Sequence, residues 1–230
     1  MIIAGLEKLS LVDFPGTVCS IVFTQGCNFR CGYCQNPGLV SCLGNTGPAE
    51  EEVLLFLDHR RNMIDGLVIT GGEPTIHPDL PEFIDKIREK GLKIKLDTNG
   101  AEPDMVEALF MRRKLDYIAL DIKTSFDKYH LVTDKKDSRE SVLKTIRTVM
   151  LSDVPYEFRM TCVPGIVNEE DLENIGEIIK GAKKVCLQQF RPDITLDDKF
   201  KEVQPYGKED LQRFKGILLK YVEHVEIRGV

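Results

Sequence analysis

Three cysteines fall within eight consecutive residues of the stretch Gln25-Gly26-Cys27-Asn28-Phe29-Arg30-Cys31-Gly32-Tyr33-Cys34, spaced C-x3-C-x2-C. Thiolates grouped this closely hold metals or iron–sulfur clusters. A cubane cluster has four irons to ligate, so three cysteines leave one iron open, and an open position is where a metal site binds a reactant. A bacterial ferredoxin would supply a fourth cysteine followed by proline, whereas this chain continues as Gln35-Asn36-Pro37. Structural zinc is the alternative, and it requires a closed shell of four Cys and His ligands. Cys19, Cys42 and His59 are the nearest additional donors, and none has the short C-x2-C or H-x3-H pairing of such sites. Three unrelated core cysteines are a third reading.

Polar groups recur after each short apolar run downstream. The second run leads to Gly71-Gly72-Glu73-Pro74, the third to Asp97-Thr98-Asn99-Gly100, the fourth to Asp121-Ile122-Lys123, and the fifth carries Arg159 and runs into Pro164-Gly165. The sixth ends in Gln188-Gln189-Phe190-Arg191-Pro192. Glycines at 71 and 72 let backbone approach a ligand closely and leave peptide groups free for its ammonium and carboxylate. Glu73 adds an acceptor. Asp97, Thr98 and Asn99 suit hydroxyls or a hard cation, and Lys123 is a mobile point charge for a carboxylate. Each motif taken alone has a plainer reading, an ordinary turn for Gly-Gly-Glu-Pro and a solvated charge pair for Asp-Ile-Lys.

The elements that would position these groups alternate. Strands are expected at 18–24, 66–70, 92–97, 116–122, 156–163 and 184–190, short and almost wholly apolar, as strands covered on both faces are. Helices are expected from Pro48 and the acids at 50–52 onward, then at 81–90, 103–114, 141–151, 169–181 and 208–221, with a short last strand at 222–227. Such alternation implies βαβ units with right-handed crossovers and a parallel sheet. Six units can curl into an open barrel: an α/β fold, a partial (β/α)6 barrel with outer helices. In such sheets ligands lie beyond the carboxyl ends of the strands, where every motif above falls. Residues 1–17 offer only a short apolar start and the turn Asp13-Phe14-Pro15-Gly16. The expectation is one domain over 1–230, its core at 18–192, with 207–228 covering an edge.

Composition narrows the function. The 230 residues, 42% hydrophobic, suit one well-cored domain. A net charge of -6 gives no basic field for nucleic acid or an anionic membrane. With no signal segment or membrane-length apolar run, the expected location is cytoplasmic, where most of the seven cysteines stay reduced. Cys19, Cys162 and Cys186 read as core residues, and His59, His77, His130 and His224 as solvent-exposed or loop positions without a role.

The cysteine triplet with Tyr33 before its last member, followed by Gly71-Gly72-Glu73-Pro74, resembles the radical S-adenosylmethionine (SAM) enzymes. The opening Gly5-Leu6-Glu7-Lys8-Leu9-Ser10-Leu11-Val12-Asp13-Phe14-Pro15-Gly16 and the run Phe23-Thr24-Gln25-Gly26-Cys27-Asn28-Phe29-Arg30-Cys31 are similar to the activating proteins of anaerobic ribonucleoside-triphosphate reductase. That resemblance implies a [4Fe-4S] cluster on Cys27, Cys31 and Cys34. It implies SAM held by Tyr33, Gly71, Gly72, Glu73, Pro74, Asp97, Thr98, Asn99, Asp121, Lys123, Arg159 and Gln189, and a monovalent cation near Asp97, Thr98 and Asp121. Some related activases place a histidine at the end of the sixth strand; here Gln189 or Arg191 would take its place. The implied reaction is reductive cleavage of SAM and hydrogen abstraction from a glycine of a partner enzyme, anaerobic ribonucleotide reductase, with flavodoxin or ferredoxin as electron donor. Two alternatives stay open: a radical SAM enzyme acting on a small molecule, and a non-catalytic iron–sulfur electron carrier.

Overall fold

The computed structural model describes residues 1–41, 47–133 and 138–230. Cys42, weighed above as a zinc ligand, lies outside the described residues. Among the described residues, eight strands form one sheet in sequence order. At one edge, β1 (Ile3–Ser10) runs antiparallel to β2 (Cys19–Thr24). From β2 onward every neighbour is parallel: β3 (Gly66–Gly71), β4 (Lys93–Thr98), β5 (Tyr117–Asp121), β6 (Tyr156–Cys162), β7 (Val185–Gln189) and β8 (Val225–Arg228). The crossovers carry α1 (Glu50–Arg60), α2 (Leu80–Arg88), α3 (Pro103–Met111), α4 (Ser138–Leu151), α5 (Glu169–Ile178) and α6 (Lys208–Leu218). The expected six-unit open barrel is present as β2 to β7.

Two local signals explain several helix starts. Proline begins α3 and stands second in α2, where a missing N–H costs nothing. At α5, the Asn168 side chain accepts from the Asp171 N–H while Asp171 accepts from the Asn168 N–H, each at 2.9 Å. The strand β1 was not expected. Its Glu7 and Lys8 are exposed and its pairing with β2 is irregular on both sides of Gly5–Glu7, features of a sheet edge that leave no alternating pattern to read.

The two faces of the sheet differ, and here the structure corrects the expectation of apolar strands throughout. Ile94, Leu96, Ile118, Leu120, Phe158, Met160, Val185 and Leu187 belong to the main apolar core shared with Phe83, Ile84, Ile87, Val142 and Leu172 of the helices. The alternate positions face the lumen and hold Lys95, Asp97, Tyr117, Asp121, Glu157 and Arg159. Phe14 of the early turn joins Cys19, Ile21, Val68 and Tyr117 in a separate small apolar group, its ring 6.1 Å from that of Tyr117. Cys19, Cys162 and Cys186 are fully buried, and burial pushes their thiols up to about 11, 12 and 12. His59, His130 and His224 are exposed, but His77 is buried, and desolvation lowers its pKa.

Candidate active site

The loop after β2 is pinned before it reaches its first cysteine. Buried Gln25 donates its backbone N–H to Ile2 O at 3.0 Å and its side-chain amide to Gly38 O at 2.9 Å and to Ser41 O. Gly26, at φ 93°, donates to Leu39 O at 2.7 Å, and the Cys34 N–H closes a turn on Cys31 O at 3.0 Å. The loop after β3 is fastened to it by main chain: Gly72 N–H to Thr24 O at 2.9 Å and Glu73 N–H to Gly26 O at 2.8 Å. A Cβ on Gly72 would lie 2.0 Å from Gly26 O, so glycine is obligatory for this seam. The glycines read as making room for a ligand thus also make room for each other's loop.

One cavity of about 260 Å³ collects most of the residues selected from sequence. Cys27, Cys31, Tyr33 and Cys34 line it together with Gly71, Gly72, Glu73, Asp97, Thr98, Asn99, Asp121, Lys123 and Arg159. Pro74 is buried in the turn that follows and Gln189 faces elsewhere, its amide donating to Tyr206 O at 2.8 Å. Gln188 takes the lining place, because successive strand side chains point to opposite faces and a one-residue choice changes the face. Arg191 is exposed and contributes its carbonyl to the Gln35 side chain at 3.3 Å. Thr70, Thr161, Gln35 and Asn36 also line the cavity and were not singled out; Thr161, two positions after Arg159, is recoverable from strand periodicity.

Among the described residues that line the cavity, Glu73 is the most heavily bonded. Its Oε1 accepts from the Thr75 N–H at 3.1 Å, from the Thr75 hydroxyl and from the Thr98 hydroxyl at 2.7 Å, while Oε2 accepts from the Asn99 N–H at 2.7 Å. Burial raises its pKa and these donors oppose the rise. It ties the β3 and β4 loops, and Oε2, with one partner, retains capacity for a ligand donor. Asn99, expected to meet hydroxyls, instead turns its side chain toward the cysteine loop, donating to Asn28 Oδ1 at 2.7 Å and to Cys27 Sγ at 3.9 Å.

Arg159 stands between Asp97 and Asp121, donating from Nη1 to the first and from Nε to the second, each at 2.7 Å. Lys95 Nζ takes the other Asp97 oxygen at 2.6 Å, and Lys123 Nζ the other Asp121 oxygen at 3.0 Å. Burial opposes charge on both carboxyls, yet the cations beside them hold Asp97 below, and Asp121 far below, the usual carboxylate range. All four carboxylate oxygens therefore already face protein cations, namely Arg159, Lys95 and Lys123. Desolvation opposes charge on Lys123 as well, but Asp121 keeps its ammonium firmly protonated.

The residues fit an iron–sulfur cluster better than zinc. Among the described residues no three His, Cys, Asp or Glu side chains come together closely enough to hold a single ion, whereas three thiols spread around one cavity suit a larger inorganic unit. The Tyr33 hydroxyl is buried in the cavity wall beside the Cys31 sulfur, with no well-formed hydrogen bond among the described residues, and a cluster sulfur or bound ligand would satisfy it. Burial pushes the Cys27 thiol up to about 12 and raises that of Cys31, so the cluster-free form holds these two as thiols and loading must release their protons. A cover lies over this limb: Asp197 donates its N–H to Gly32 O at 2.8 Å, and the Phe200 ring sits 5.9 Å from that of Tyr33. Nothing at 191–206 signalled that cover, because its contacts to the cysteine loop cross more than 150 residues of sequence.

Comparison with known proteins agrees with this geometry. The family model for the radical SAM superfamily matches residues 21–179. A Methanocaldococcus jannaschii protein, named provisionally as a glycyl-radical enzyme activating enzyme, is 34% identical over 100% of this chain and 96% of its own length. The pyruvate formate-lyase-activating enzyme of Streptococcus mutans is 31% identical over 92% of this chain and 85% of its own. Among solved structures, Streptococcus suis SuiB bound to S-adenosylmethionine shares the fold, with TM-score 0.67 and 14% identity over 91% of this chain and 49% of that one. Members of this superfamily carry a [4Fe-4S] cluster and use SAM. A three-cysteine cavity at the carboxyl ends of a parallel open barrel, and relatives matched from end to end, lead to one conclusion: the chain belongs to the radical SAM superfamily of enzymes, among the relatives of its glycyl-radical activases.

Proposed function

We propose that this protein is a radical SAM activating enzyme that generates a glycyl radical on a partner enzyme, and that the partner is anaerobic ribonucleotide reductase. One observation carries the reading: Cys27, Cys31 and Cys34 share a single cavity with the Gly71-Gly72-Glu73 loop, the Asp97-Thr98-Asn99 loop and Lys123. The activase relatives matched over the whole chain support the reaction class, and the similarity of 5–16 and 23–31 to the reductase activators favours that partner.

Cys27, Cys31 and Cys34 would hold the cluster, which when reduced supplies the electron that splits SAM into methionine and a 5′-deoxyadenosyl radical. The chain's own task is placement and exclusion. Peptide groups of Gly71 and Gly72 and the Oε2 of Glu73 offer partners for an amino-acid head, and Lys123 offers a cation to its carboxylate. Thr98, Thr161 and Gln188 supply hydroxyl and amide groups for the nucleotide portion. The Asp97–Arg159–Asp121 group stiffens the floor of the cavity, and the 191–206 segment with Phe200 shields the Cys31 limb from water. No protein acid or base is required. The unit acts in the cytoplasm as one domain, and flavodoxin or ferredoxin delivers the electron.

The test is to incubate the anaerobically reconstituted, reduced protein with SAM and either anaerobic ribonucleotide reductase or pyruvate formate-lyase, and to record electron paramagnetic resonance spectra. A glycine-centred doublet on the reductase supports the proposal. A doublet only on pyruvate formate-lyase reassigns the partner. SAM cleavage driven by a small metabolite, with no radical on either protein, overturns the activase reading.

A further inference from the structure

Asn99 is 5% exposed and every polar atom of its side chain is engaged. Its Oδ1 accepts from the Ala101 N–H at 3.0 Å, which fixes the orientation of the carboxamide: only an oxygen can face that donor. The amide nitrogen must then face Asn28 Oδ1, at 2.7 Å, and Cys27 Sγ, at 3.9 Å. Asn28 is held in turn by its own donation to Glu102 Oε1 at 3.0 Å, and the Asn99 backbone by its N–H to Glu73 Oε2 at 2.7 Å. A second donor, the Phe29 N–H, reaches the same sulfur at 3.4 Å. Cys27 thus has two N–H groups aimed at its sulfur, one from its own loop and one from Asn99, which is held in place after β4.

We propose that Asn99 is a positioning residue of the cluster rather than a contact to the nucleotide, donating to the Cys27 sulfur and so making the cluster easier to reduce. The proposal rests on the cluster reading above and not on the identity of the partner. Reduction adds negative charge that spreads onto the ligand sulfurs, and a fixed N–H dipole aimed at one of them favours the reduced form.

The experiment is a reductive titration of the reconstituted holoenzyme in the absence of SAM and partner, for wild type, Asn99→Ser and Asn99→Asp, with SAM affinity measured separately. The midpoint potential moves negative in Asn99→Ser and further in Asn99→Asp, where an anion replaces the donor, while SAM affinity in Asn99→Ser changes less than about threefold. Should Asn99→Asp fail to load a cluster, Asn99→Ser decides, since its hydroxyl is small enough to accept from Ala101. Unchanged potentials overturn the proposal, and SAM binding weakened about tenfold alongside them would assign Asn99 to the nucleotide. Because neither SAM nor partner enters the titration, a negative result in the glycyl radical experiment leaves this one standing, and the reverse also holds.

Discussion

The outer and inner faces of β4 and β5 are made from interleaved residues of the same two strands and solve opposite problems. Outward, Ile94, Leu96, Ile118 and Leu120 are all 0% exposed and interchangeable in kind. Inward, Lys95, Asp97 and Asp121 each depend on named partners, and loss of one strands another. Apolar burial is non-directional and tolerates a change of shape, whereas a buried ion is tolerable only while its counter-charge stays in place. The helix-facing side therefore carries the fold and the lumen side carries the site, and substitutions should separate the two.

The largest effect is expected at the mouth of the lumen. Cys31→Ala abolishes cluster loading and SAM cleavage, read as iron content and deoxyadenosine formed; wild-type cleavage in that variant would remove the three-cysteine site from the mechanism. Next, Arg159→Ala leaves Asp97 with Lys95 alone and Asp121 with Lys123 alone and costs about 1.5–3 kcal/mol of stability, measured by urea unfolding. A loss below about 1 kcal/mol would show the network to be solvated and the contrast between faces to be false.

Acid should act on the same group. Because both carboxyls have pKa values lowered in the fold, their contribution is fully present above the ordinary carboxylate range and lost as pH falls through the lowered values. The urea midpoint should accordingly hold from neutrality to about pH 4 and decline below it. In Arg159→Ala the two values rise toward those of the unfolded chain and the decline below about pH 4 becomes shallower, so profiles of equal steepness would count against the pairing. The smallest effect is outward: Ile118→Val costs about 1 kcal/mol and leaves cluster content and SAM affinity at the wild-type level, which equilibrium binding checks directly.

This asymmetry also explains what could be read from the chain. The outer face gave runs such as Leu67, Ile69, Ile94, Leu96, Ile118 and Leu120 at strand spacing, and the polar motifs at their ends lined one cavity because parallel strands deliver their carboxyl ends to one side. Lys95 carries no motif, and nothing local reveals that it is 2% exposed against Asp97. Glu157 finds Arg228 at 2.8 Å across 71 residues of sequence, a pairing with no local pattern. Choosing Gln189 over Gln188 was an error of parity, set by which face the strand turns inward. The cover at 191–206 and the irregular edge strand β1 escaped for a shared reason: each is defined by what it touches rather than by any periodicity of its own.

The main-chain seam between the loops after β2 and β3 ties together two motifs some forty residues apart. Since Thr24 O and Gly26 O receive the Gly72 and Glu73 amides, the sulfur ligands and the Gly-Gly-Glu loop move as one body. Their spacing is set by peptide geometry and not by any side chain, so surrounding residues can drift while the reach between an iron and whatever docks beside it stays constant. Length changes in the chain are tolerable on the helical side of the barrel, and a single inserted residue between 24 and 27 would unfasten both halves at once.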